Sequence, residues 1–454
     1  MADLTKIFKA YDIRGVVPDQ LDEGVAEAVG AAFIRLTGAR SLVTLHDMRA
    51  SSAPLADALG RGAASQGADV IAAGLGSTDM VYYASGALSL PGAMITASHN
   101  PARYNGIKLC REGARPVGIE TGLAEVRDMV ASGVPAYDGP KGTVTQRDLL
   151  PGYAEYLKKL VDLSGIRPLT VVVDAGNGMA GHTVPKVFDG LPVTLVPLYF
   201  ELDGTFPNHE ANPIDPENLR DLQRAVRENH ADIGLAFDGD ADRCFVVDER
   251  GEIVSPSVLT ALIASRELDR ETGATVIHNL ITSRAVPEII RERGGVPVRT
   301  RVGHSFIKAE MARSGAVFGG EHSGHFYFRD FWFADSGMLA ALHVLAALGQ
   351  QQRPLSRLLG EFSRYYASGE INSEVSDQAA AAAKVRQVFA GRPGVTFDEL
   401  DGLTVSADAW WFNLRPSNTE PLLRLNAEAS DEATMAATRD EVLGLVRDTT
   451  ARSE

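Results

Sequence analysis

The 454-residue chain has very few cysteines and no apolar run long enough to cross a membrane. Its two cysteines, Cys110 and Cys244, do not provide a framework of disulfide bonds, and we expect both as buried thiols. The longest apolar helix candidate, Met338 to Leu348, is shorter than the roughly 20 residues that span a bilayer. The amino terminus, Met1 to Lys9, lacks the apolar stretch of a secretory signal. These absences favour a cytoplasmic protein with no membrane partner.

Basic residues are also in the minority. The 44 lysines and arginines stand against 59 aspartates and glutamates, which gives a formal net charge of −15. Such an excess of negative charge disfavours nucleic acid as a partner. An acidic protein that binds an anionic small molecule must concentrate its positive charge in a few loops.

Length and pattern predict several α/β domains. With 45% hydrophobic residues, the chain is longer than one core usually serves, so three or four domains are expected. A strand, helix, strand order recurs near residues 43, 170 and 275, at the spacing of domains. This alternation favours mixed, largely parallel sheets covered by helices.

One serine stands among cationic and amide side chains in the segment ITASHNP, residues 95–101, which YNGIK follows. Ser98 is a candidate nucleophile, because His99 and Lys108 could attract a phosphate and also carry the hydroxyl proton. Pro101 disfavours a helix directly after the preceding strand, so we expect Ser98 on an exposed loop. In isolation such a segment is more often an ordinary turn.

Three aspartates alternate in the segment DGDAD, directly after an apolar strand at residues 233–237. The carboxylates of Asp238, Asp240 and Asp242 would repel one another unless a cation neutralises them, and such oxygens suit Mg²⁺ or Ca²⁺. An EF-hand does not fit, because the position that must be glycine is Arg243. A solvated acidic turn is the alternative, but a buried strand on each side favours a metal site.

Two further loops suit a sugar phosphate. In GGEHSGH, Glu321 and Ser323 can bind vicinal hydroxyls, and His325 can transfer a proton. Zinc at His322 and His325 is disfavoured, because no cysteine or further histidine lies at ligand spacing. The segment RPSNTEP, residues 415–421, offers the donors of a phosphate cradle, although alone it is typical of a surface turn.

Four such loops in this order make the chain resemble the α-D-phosphohexomutases, most closely the bacterial phosphomannomutase and phosphomannomutase/phosphoglucomutase branch. The likeness begins at FKAYDIRG, residues 8–15, and ends near Arg424, with further agreement at residues 203–209 and 302–305. The resemblance implies three similar mixed α/β domains and a smaller C-terminal α+β domain around a central cleft. The expected domains are 1–146 with the phosphoserine loop, 147–249 with the metal-binding loop, 250–366 with the sugar-binding loop, and 367–454 for phosphate binding.

The resemblance implies an isomerase that interconverts hexose 6-phosphate and hexose 1-phosphate, with mannose phosphates favoured. The reaction would proceed through phospho-Ser98 and a hexose 1,6-bisphosphate, which also acts as activator, in a monomer or homodimer. A dual phosphomannomutase/phosphoglucomutase and a phosphoglucosamine mutase are the alternatives. One Mg²⁺ would be held by Ser98, Asp238, Asp240 and Asp242. The expected catalytic residues are Ser98, His99, Lys108, Arg243, His304 and His325. The expected substrate-binding residues are Tyr11, Arg14, Gly303, Glu321, Ser323, Arg415, Ser417, Asn418, Thr419 and Arg424.

The chain departs from this pattern at one position. Some relatives place a ligand-binding lysine after the strand at 275–277, where this chain has Ile281. Arg284 and Arg301 are the candidates to compensate.

A different enzyme class is the runner-up. The segment GNGMAG, residues 176–181, follows a strand and satisfies G-x-G-x-x-G, with Glu201 about 20 residues further on, as in NAD-binding dehydrogenases. Against it, Asp174 would lie beside the pyrophosphate and Pro185 would interrupt the helix. A sugar-phosphate binder without activity is a third hypothesis, which the intact Ser98 and aspartate loop disfavour.

Overall fold

The computed structural model describes residues 3–416 and 422–447, without the side chains of residues 304 and 305. Within these residues the polypeptide forms four β-sheets that follow one another along the chain. Three short 3₁₀ helices lie in the connections: Ile119–Thr121, Pro216–Leu219 and Arg329–Phe331.

The first sheet has seven strands, and five helices accompany it. The strands are Ile13–Val16 (β1), Ser41–His46 (β2), Asp69–Leu75 (β3), Gly92–Ile95 (β4), Tyr104–Arg111 (β5), Arg115–Pro116 (β6) and Val144–Gln146 (β7). The helices are Leu4–Ile7 (α1), Glu23–Thr37 (α2), Ser52–Ser65 (α3), Thr78–Leu88 (α4) and Leu123–Ser132 (α5). The strand order is β1-β5-β4-β2-β3-β7, with β6 paired to β5.

Two five-stranded sheets follow. The second contains Leu169–Asp174 (β8), Val193–Leu198 (β9), Ile233–Phe237 (β10), Cys244–Asp248 (β11) and Ile253–Val254 (β12), with helices Leu150–Leu160 (α6), Ala180–Phe188 (α7) and Arg220–Glu228 (α8). The strands of the third are Thr275–Asn279 (β13), Val296–Thr300 (β14), Phe318–Gly320 (β15), Phe326–Phe328 (β16) and Ala334–Asp335 (β17). Its helices are Pro256–Arg270 (α9), Ala285–Glu292 (α10), His304–Ser314 (α11), Gly337–Gly349 (α12) and Leu355–Leu359 (α13).

These three sheets share one topology. The second has the order β9-β8-β10-β11-β12 and the third β14-β13-β15-β16-β17; in each, three parallel strands adjoin two antiparallel ones. The first sheet contains the same arrangement as β3-β2-β4-β5-β1. The turn from the third parallel strand to its antiparallel neighbour therefore recurs at one place in each sheet. We call these turns the Ser loop (residues 96–103), the Asp loop (residues 238–243) and the Glu loop (residues 321–325).

The fourth sheet is smaller and antiparallel throughout. Its strands are Tyr366–Glu374 (β18), Thr396–Asp398 (β19), Leu403–Ser406 (β20), Trp410–Pro416 (β21) and Leu422–Ala429 (β22), and its helices are Gln378–Ala390 (α14) and Glu432–Arg447 (α15). The order is β18-β22-β21-β20-β19. The predicted fold class is confirmed: three similar α/β units and a smaller α+β unit. Residue 146 ends β7, residue 249 lies between β11 and β12, and residue 366 begins β18; the domain boundaries stay predictions.

Helix α12 connects the cores of the first three sheets, whereas the fourth sheet has a hydrophobic core of its own. All thirteen residues of α12 are buried, so this apolar segment is a core helix. In the described part of the chain, no helix is long and apolar enough to cross a membrane. Asp79 of α4 accepts hydrogen bonds of 2.6 Å from Tyr153 of α6 and from Ser336 before α12, and burial raises its pKa to about 6.

Candidate active site

The Ser loop is held in shape by one buried arginine. Ser98 has a φ of 51°, in the left-handed region that a non-glycine residue enters at a cost. The Arg49 side chain is 1% exposed, and its guanidinium offsets this cost by donating to three carbonyls of the loop and to that of Tyr104, which directly follows it. The acceptors, at 2.7–3.0 Å, belong to Ser98, Asn100, Pro101 and Tyr104.

Ser98 itself is buried. The residue is only 5% exposed, which the prediction of an exposed loop did not anticipate, although residues 101–103 of the same loop are exposed. The reason is the Asp loop, which covers it: a Cβ added to Gly239 would lie 2.4 Å from the Ser98 carbonyl oxygen. The Ser98 hydroxyl donates to Asp238 Oδ2 at 2.8 Å, which joins the first and second sheets at the expected nucleophile.

The Asp loop gathers three buried carboxylates and two cations. Lys108 Nζ, from β5, donates to Asp240 and Asp242 at 2.7 Å each. Arg243 Nε donates to Asp238 Oδ2 at 2.9 Å. Burial, with the neighbouring carboxylates, raises the pKa of Asp238 to about 8 despite Arg243. Burial acts the same way on Asp240, but Lys108 outweighs it and lowers the pKa of Asp240 far below its usual range.

The three carboxylates fit a hard divalent cation. Their oxygens lie within 4.8 Å of one another. Asp240 Oδ1 and Asp242 Oδ1 are buried without a hydrogen-bond partner, which is costly unless a further ligand satisfies them. Three carboxylates against two cations also leave an excess of one negative charge when all are ionised. This oxygen-only donor set is the kind that Mg²⁺ prefers.

His99 contributes differently from Lys108. Arg243 Nη2 donates to His99 Nδ1 at 2.7 Å, so this nitrogen is an acceptor. Burial, followed by the positive charges of Arg243 and Arg14, lowers the pKa of His99 well below its usual value. The imidazole is therefore neutral at pH 7. Positive charge beside Ser98 comes from Lys108 and Arg243 instead.

The Glu loop holds its carboxylate with neutral donors. Glu321 is 2% exposed, and Oε1 accepts from Asn279 Nδ2 at 3.3 Å and from the Gly303 N–H at 3.2 Å. Oε2 accepts from the Tyr327 hydroxyl at 2.7 Å. All three donors belong to the third sheet or its loops.

The Glu loop also lies next to the Asp loop and contacts the first residue of β11, which follows that loop. The Cys244 N–H donates to the Gly324 carbonyl at 3.2 Å. His325 Nδ1 lies 3.0 Å from Ser323 Oγ, and its Nε2 lies 3.8 Å from Asp242 Oδ1. The second distance is too long for a direct hydrogen bond. The three equivalent loops thus meet at one point.

A cavity of about 190 Å³ lies where the loops meet. Of the residues predicted for the site, it is lined by Tyr11, Arg14, Ser98, His99, Lys108, Asp242, Arg243 and His325. Arg14 donates to Asn100 of the Ser loop and to Asp12. A Cβ added to Gly303 would lie 3.3 Å from the Tyr11 hydroxyl, which brings these two predicted residues together.

Three residues at the site were missed by the sequence analysis. Lys308 lines the cavity, lies 2.6 Å from Asp335 and stands over the Tyr82 ring at 4.2 Å from its centroid. Thr78 donates to Asp240 Oδ2 at 2.6 Å. Arg49 and Thr78 follow the carboxyl ends of β2 and β3, the edge where parallel sheets usually bind ligands. That rule could have identified both, whereas Lys308 has only the pattern of an ordinary helix lysine.

The fourth sheet brings two more predicted residues towards the Glu loop. Arg415 of β21 pairs directly with Arg424 of β22. Glu370 of β18 lies 3.5 Å from Arg415, 3.3 Å from Arg424 and 3.9 Å from Nε2 of His322, a Glu-loop residue. Burial, followed by Arg415, lowers the pKa of His322 to about 3. The predicted residues outside the described part are Ser417, Asn418, Thr419 and the side chain of His304.

Ile281 packs between the third and fourth sheets. It is 6% exposed and forms an apolar cluster with Leu280 and Trp411. Arg284 donates to backbone carbonyls of the fourth sheet's β20–β21 turn and β21. Arg301 stacks over the Phe306 ring at 5.3 Å from its centroid. The structure thus uses Ile281 and Arg284 to join two sheets, and neither arginine lines the 190 Å³ cavity.

The space beside the G-x-G-x-x-G segment is occupied by another part of the protein. The Met179 N–H donates to the Gly239 carbonyl at 2.9 Å, and a Cβ added to Gly178 would lie 2.7 Å from that oxygen. The Asp loop therefore occupies the space that a pyrophosphate would need, and the dehydrogenase hypothesis is not supported. The expected interruption at Pro185 is also wrong. Helix α7 continues through it to Phe188, although proline leaves the Gly181 carbonyl without its helical hydrogen bond.

Models of the phosphoglucomutase/phosphomannomutase family match the chain in four parts. Alpha/beta/alpha domain I matches residues 5–133, domain II residues 151–251, domain III residues 255–365, and the C-terminal domain residues 370–445. Together these matches include every loop described above.

Curated relatives and solved structures agree with the family models. A protein named phosphohexose mutases from Xanthomonas campestris pv. campestris is 42% identical, covering 97% of this chain and 99% of its own. An Escherichia coli phosphomannomutase is 39% identical over 98% and 100%. The crystal structure of a phosphoglucomutase/phosphomannomutase family protein from Burkholderia thailandensis superimposes with a TM-score of 0.89 at 33% identity, covering 100% of this chain and 99% of that one.

Proposed function

Since this chain belongs to the phosphoglucomutase/phosphomannomutase family and is a hexose phosphate mutase, we propose that it interconverts mannose 6-phosphate and mannose 1-phosphate through a phosphorylated Ser98. The observation that carries this proposal is the 2.8 Å contact between Ser98 Oγ and Asp238, beside Lys108 and Arg243. A nucleophile among two cations and three carboxylates suits phosphoryl transfer, where positioning and charge stabilisation do most of the catalysis.

In the first half-reaction the bond between phosphorus and Ser98 Oγ breaks, and a bond to the free C1 or C6 hydroxyl of the sugar forms. The sugar hydroxyl loses its proton to a base; His325, which lines the cavity, and His304 are the proposed carriers. Lys108 and Arg243 donate to the phosphoryl oxygens during transfer. The product is a hexose 1,6-bisphosphate.

In the second half-reaction the bisphosphate turns over within the cleft, and its other phosphate returns to Ser98. This leaves the isomeric monophosphate and restores the phosphoserine. Dephosphorylated protein would regain its phosphate from added hexose 1,6-bisphosphate, which would then act as activator. Tyr11, Arg14 and Gly303 would contact the sugar phosphate from the cavity wall.

Asp238, Asp240, Asp242 and a phospho-Ser98 oxygen are the proposed ligands of one Mg²⁺. When bound there, the ion would supply positive charge to the transferring phosphoryl group. The two unpartnered aspartate oxygens support this proposal.

The remaining proposed contacts hold the parts of the substrate that do not react. Glu321 and Ser323 would bind sugar hydroxyls. The non-reacting phosphate would be held by Arg415, Ser417, Asn418, Thr419 and Arg424. The pairing of Arg415 with Arg424 supports this assignment, because two adjacent guanidinium groups favour an anion.

Sugar preference is the finest part of the proposal. Mannose and glucose phosphates differ at C2, whereas Glu321 and Ser323 would contact hydroxyls that both sugars share. We therefore expect mannose 1-phosphate to give the highest kcat/KM, glucose 1-phosphate to be within about tenfold, and glucosamine 1-phosphate to be the poorest. Comparing kcat/KM for the three substrates tests this order. A highest value for glucosamine 1-phosphate would contradict it.

Domain boundaries near residues 146, 249 and 366, a cytoplasmic location, and a monomer or homodimer complete the proposal. The boundary near 366 is supported by the separate core of the fourth sheet. Sedimentation analysis of the purified chain would test the oligomeric state.

A further inference from the structure

The paired arginines of the fourth sheet lie beside a carboxylate of the same chain. Arg415 and Arg424 lie directly opposite each other on β21 and β22, and like charges in that position destabilise a sheet. Their side chains are 11% and 30% exposed, so water screens them only in part. An anion between them relieves the repulsion.

In this structure Glu370 lies at that position. Its carboxylate oxygens are 3.5 Å from Arg415 Nη2 and 3.3 Å from Arg424 Nη1, and its side chain is 25% exposed. Glu370 reaches the pair from β18, which hydrogen-bonds to β22. Among the described residues, Glu370 is the carboxylate that lies within 4 Å of both guanidinium groups, and Asp401 adds further negative charge near Arg415 alone.

The contacts between Glu370 and the two arginines are long. Charge-assisted hydrogen bonds between these groups are typically about 2.7–2.9 Å long, shorter than both contacts of Glu370. Among the described residues, Arg415 Nε and Arg424 Nε are buried without a hydrogen-bond partner. The two guanidinium groups therefore keep donors that Glu370 does not use. A phosphate dianion has more charge and more oxygens, so it can displace the carboxylate or bind beside it.

We propose that Glu370 is an internal counter-anion of the phosphate-binding pocket: it occupies Arg415 and Arg424 when no phosphate is there, and it lowers the pocket's affinity for phosphate. This inference rests on the proposed function, in which these arginines hold the non-reacting phosphate. Such a counter-anion would assist the mutase reaction. Each turnover requires the pocket to release one phosphate of the bisphosphate and accept the other, and a pocket that binds too tightly would slow that exchange.

The test is Glu370→Gln, which removes the charge and keeps the size of the side chain. Inorganic phosphate should bind the variant roughly tenfold more tightly by calorimetry, since one repulsive charge close to the anion is gone. Added phosphate should also raise the Tm of the variant by more than that of the wild type. In turnover, KM for hexose 1-phosphate and kcat should both fall, because phosphate is held more tightly and exchanged more slowly.

Three comparisons make the result interpretable. Glu374→Gln changes an exposed glutamate four residues along the same strand and should leave phosphate affinity unchanged. Glu370→Asp draws the carboxylate back by one methylene and should give an intermediate affinity. In an Arg415→Ala background, Glu370→Gln should tighten phosphate binding by less than tenfold, because the carboxylate and the phosphate then share only Arg424.

Unchanged phosphate binding by Glu370→Gln would overturn the inference. Weaker phosphate binding would also overturn it, because it would show that Glu370 only holds the arginines in place. The binding measurements do not depend on catalysis. Absence of mutase turnover in the wild-type protein would therefore overturn the proposed function and leave the phosphate-binding test of Glu370 intact.

Discussion

The Asp loop and the Glu loop occupy the same place in two sheets of the same strand order, yet they hold charge in different ways. The Asp loop buries three carboxylates whose partners include Lys108 from another sheet, and two of its oxygens remain unpartnered. The Glu loop buries one carboxylate that neutral donors of its own sheet satisfy. Equivalent topology thus supports one charged site and one neutral site.

The difference arises from what each loop packs against. Gly239 has no side chain, so the Asp loop lies directly on the backbone of Ser98, within reach of cations from the first sheet. The Glu loop makes one backbone hydrogen bond to Cys244, the residue directly after the Asp loop, and His322, Ser323 and His325 stay partly exposed. A site for a reacting phosphoryl group needs the first arrangement, and a site that binds sugar hydroxyls suits the second.

Replacing Ser98, the proposed nucleophile, should have the largest effect. We expect Ser98→Ala to lower kcat on the order of 10⁴-fold or more, since no other group in the cavity can take its role. Circular dichroism should be unchanged, because only the contacts of the hydroxyl with Asp238 and His99 are lost. Intact-mass analysis of the wild type should find a fraction heavier by one phosphate, absent from the variant. Wild-type turnover in Ser98→Ala would disprove the phosphoserine.

Removing one charge from each loop tests the comparison directly. Asp240→Asn should lower kcat on the order of 10³-fold and raise the Mg²⁺ concentration needed for half-maximal activity, because it deletes a ligand charge. Glu321→Gln should instead raise KM about tenfold, with the Mg²⁺ dependence unchanged. Kinetics over a series of Mg²⁺ concentrations distinguishes the two variants. An equal change in the Mg²⁺ dependence of both variants would mean that the Asp loop and the Glu loop do not have separate roles in binding the cation and the sugar hydroxyls.

Pushing the Asp loop off the Ser loop should have a smaller effect. Gly239→Ala places a methyl group 2.4 Å from the Ser98 carbonyl oxygen, so the loops must separate. Displacement of about 1 Å at a reacting centre can cost about 100-fold, and we expect a loss of kcat of that size. Gly391→Ala is the matched control, since nothing lies within 4 Å of its added Cβ. Equal activity of the two variants would argue against close contact of the loops.

The smallest effect is expected at a neutral donor of the Glu loop. Tyr327→Phe removes the hydroxyl that donates to Glu321 and should lower the free energy of unfolding by about 1.5–3 kcal/mol. KM should change only a few-fold, because the other two donors still hold the carboxylate. Tyr366→Phe, at a side chain on the surface of β18, is the control and should leave both quantities unchanged. Denaturant titration measures the difference.

Local pattern was enough to predict part of this site. The alternation of Asp238, Asp240 and Asp242 after an apolar strand required a cation, and the structure brings their oxygens within 4.8 Å. The order of the loops also predicted the fold. Burial of Ser98 could not be predicted, because the loop that covers it comes 140 residues later in the chain. The contact of Thr78 with Asp240 was missed for the same reason.

Long side chains were the other source of error. Arginine and lysine usually lie on the surface, but Arg49 and Lys308 are both buried. Arg49 lies beside Asp47, two residues earlier, and Lys308 lies beside Asp335 of β17. Ile281 differs from the lysine of some relatives, and its packing against Trp411 became visible only with the fourth sheet in place.

The hydrogen bonds from Arg49 to the Ser loop affect how the free energy of substrate binding is used. A free loop would lose conformational entropy each time a sugar phosphate bound, and that loss would weaken binding. Here four carbonyls are already fixed when the protein folds, and Ser98 is already in its left-handed conformation. The proposed nucleophile is therefore preorganised, and both proposed half-reactions would begin from the same backbone geometry. The energy of sugar binding remains available to reorient the bisphosphate between its two transfers.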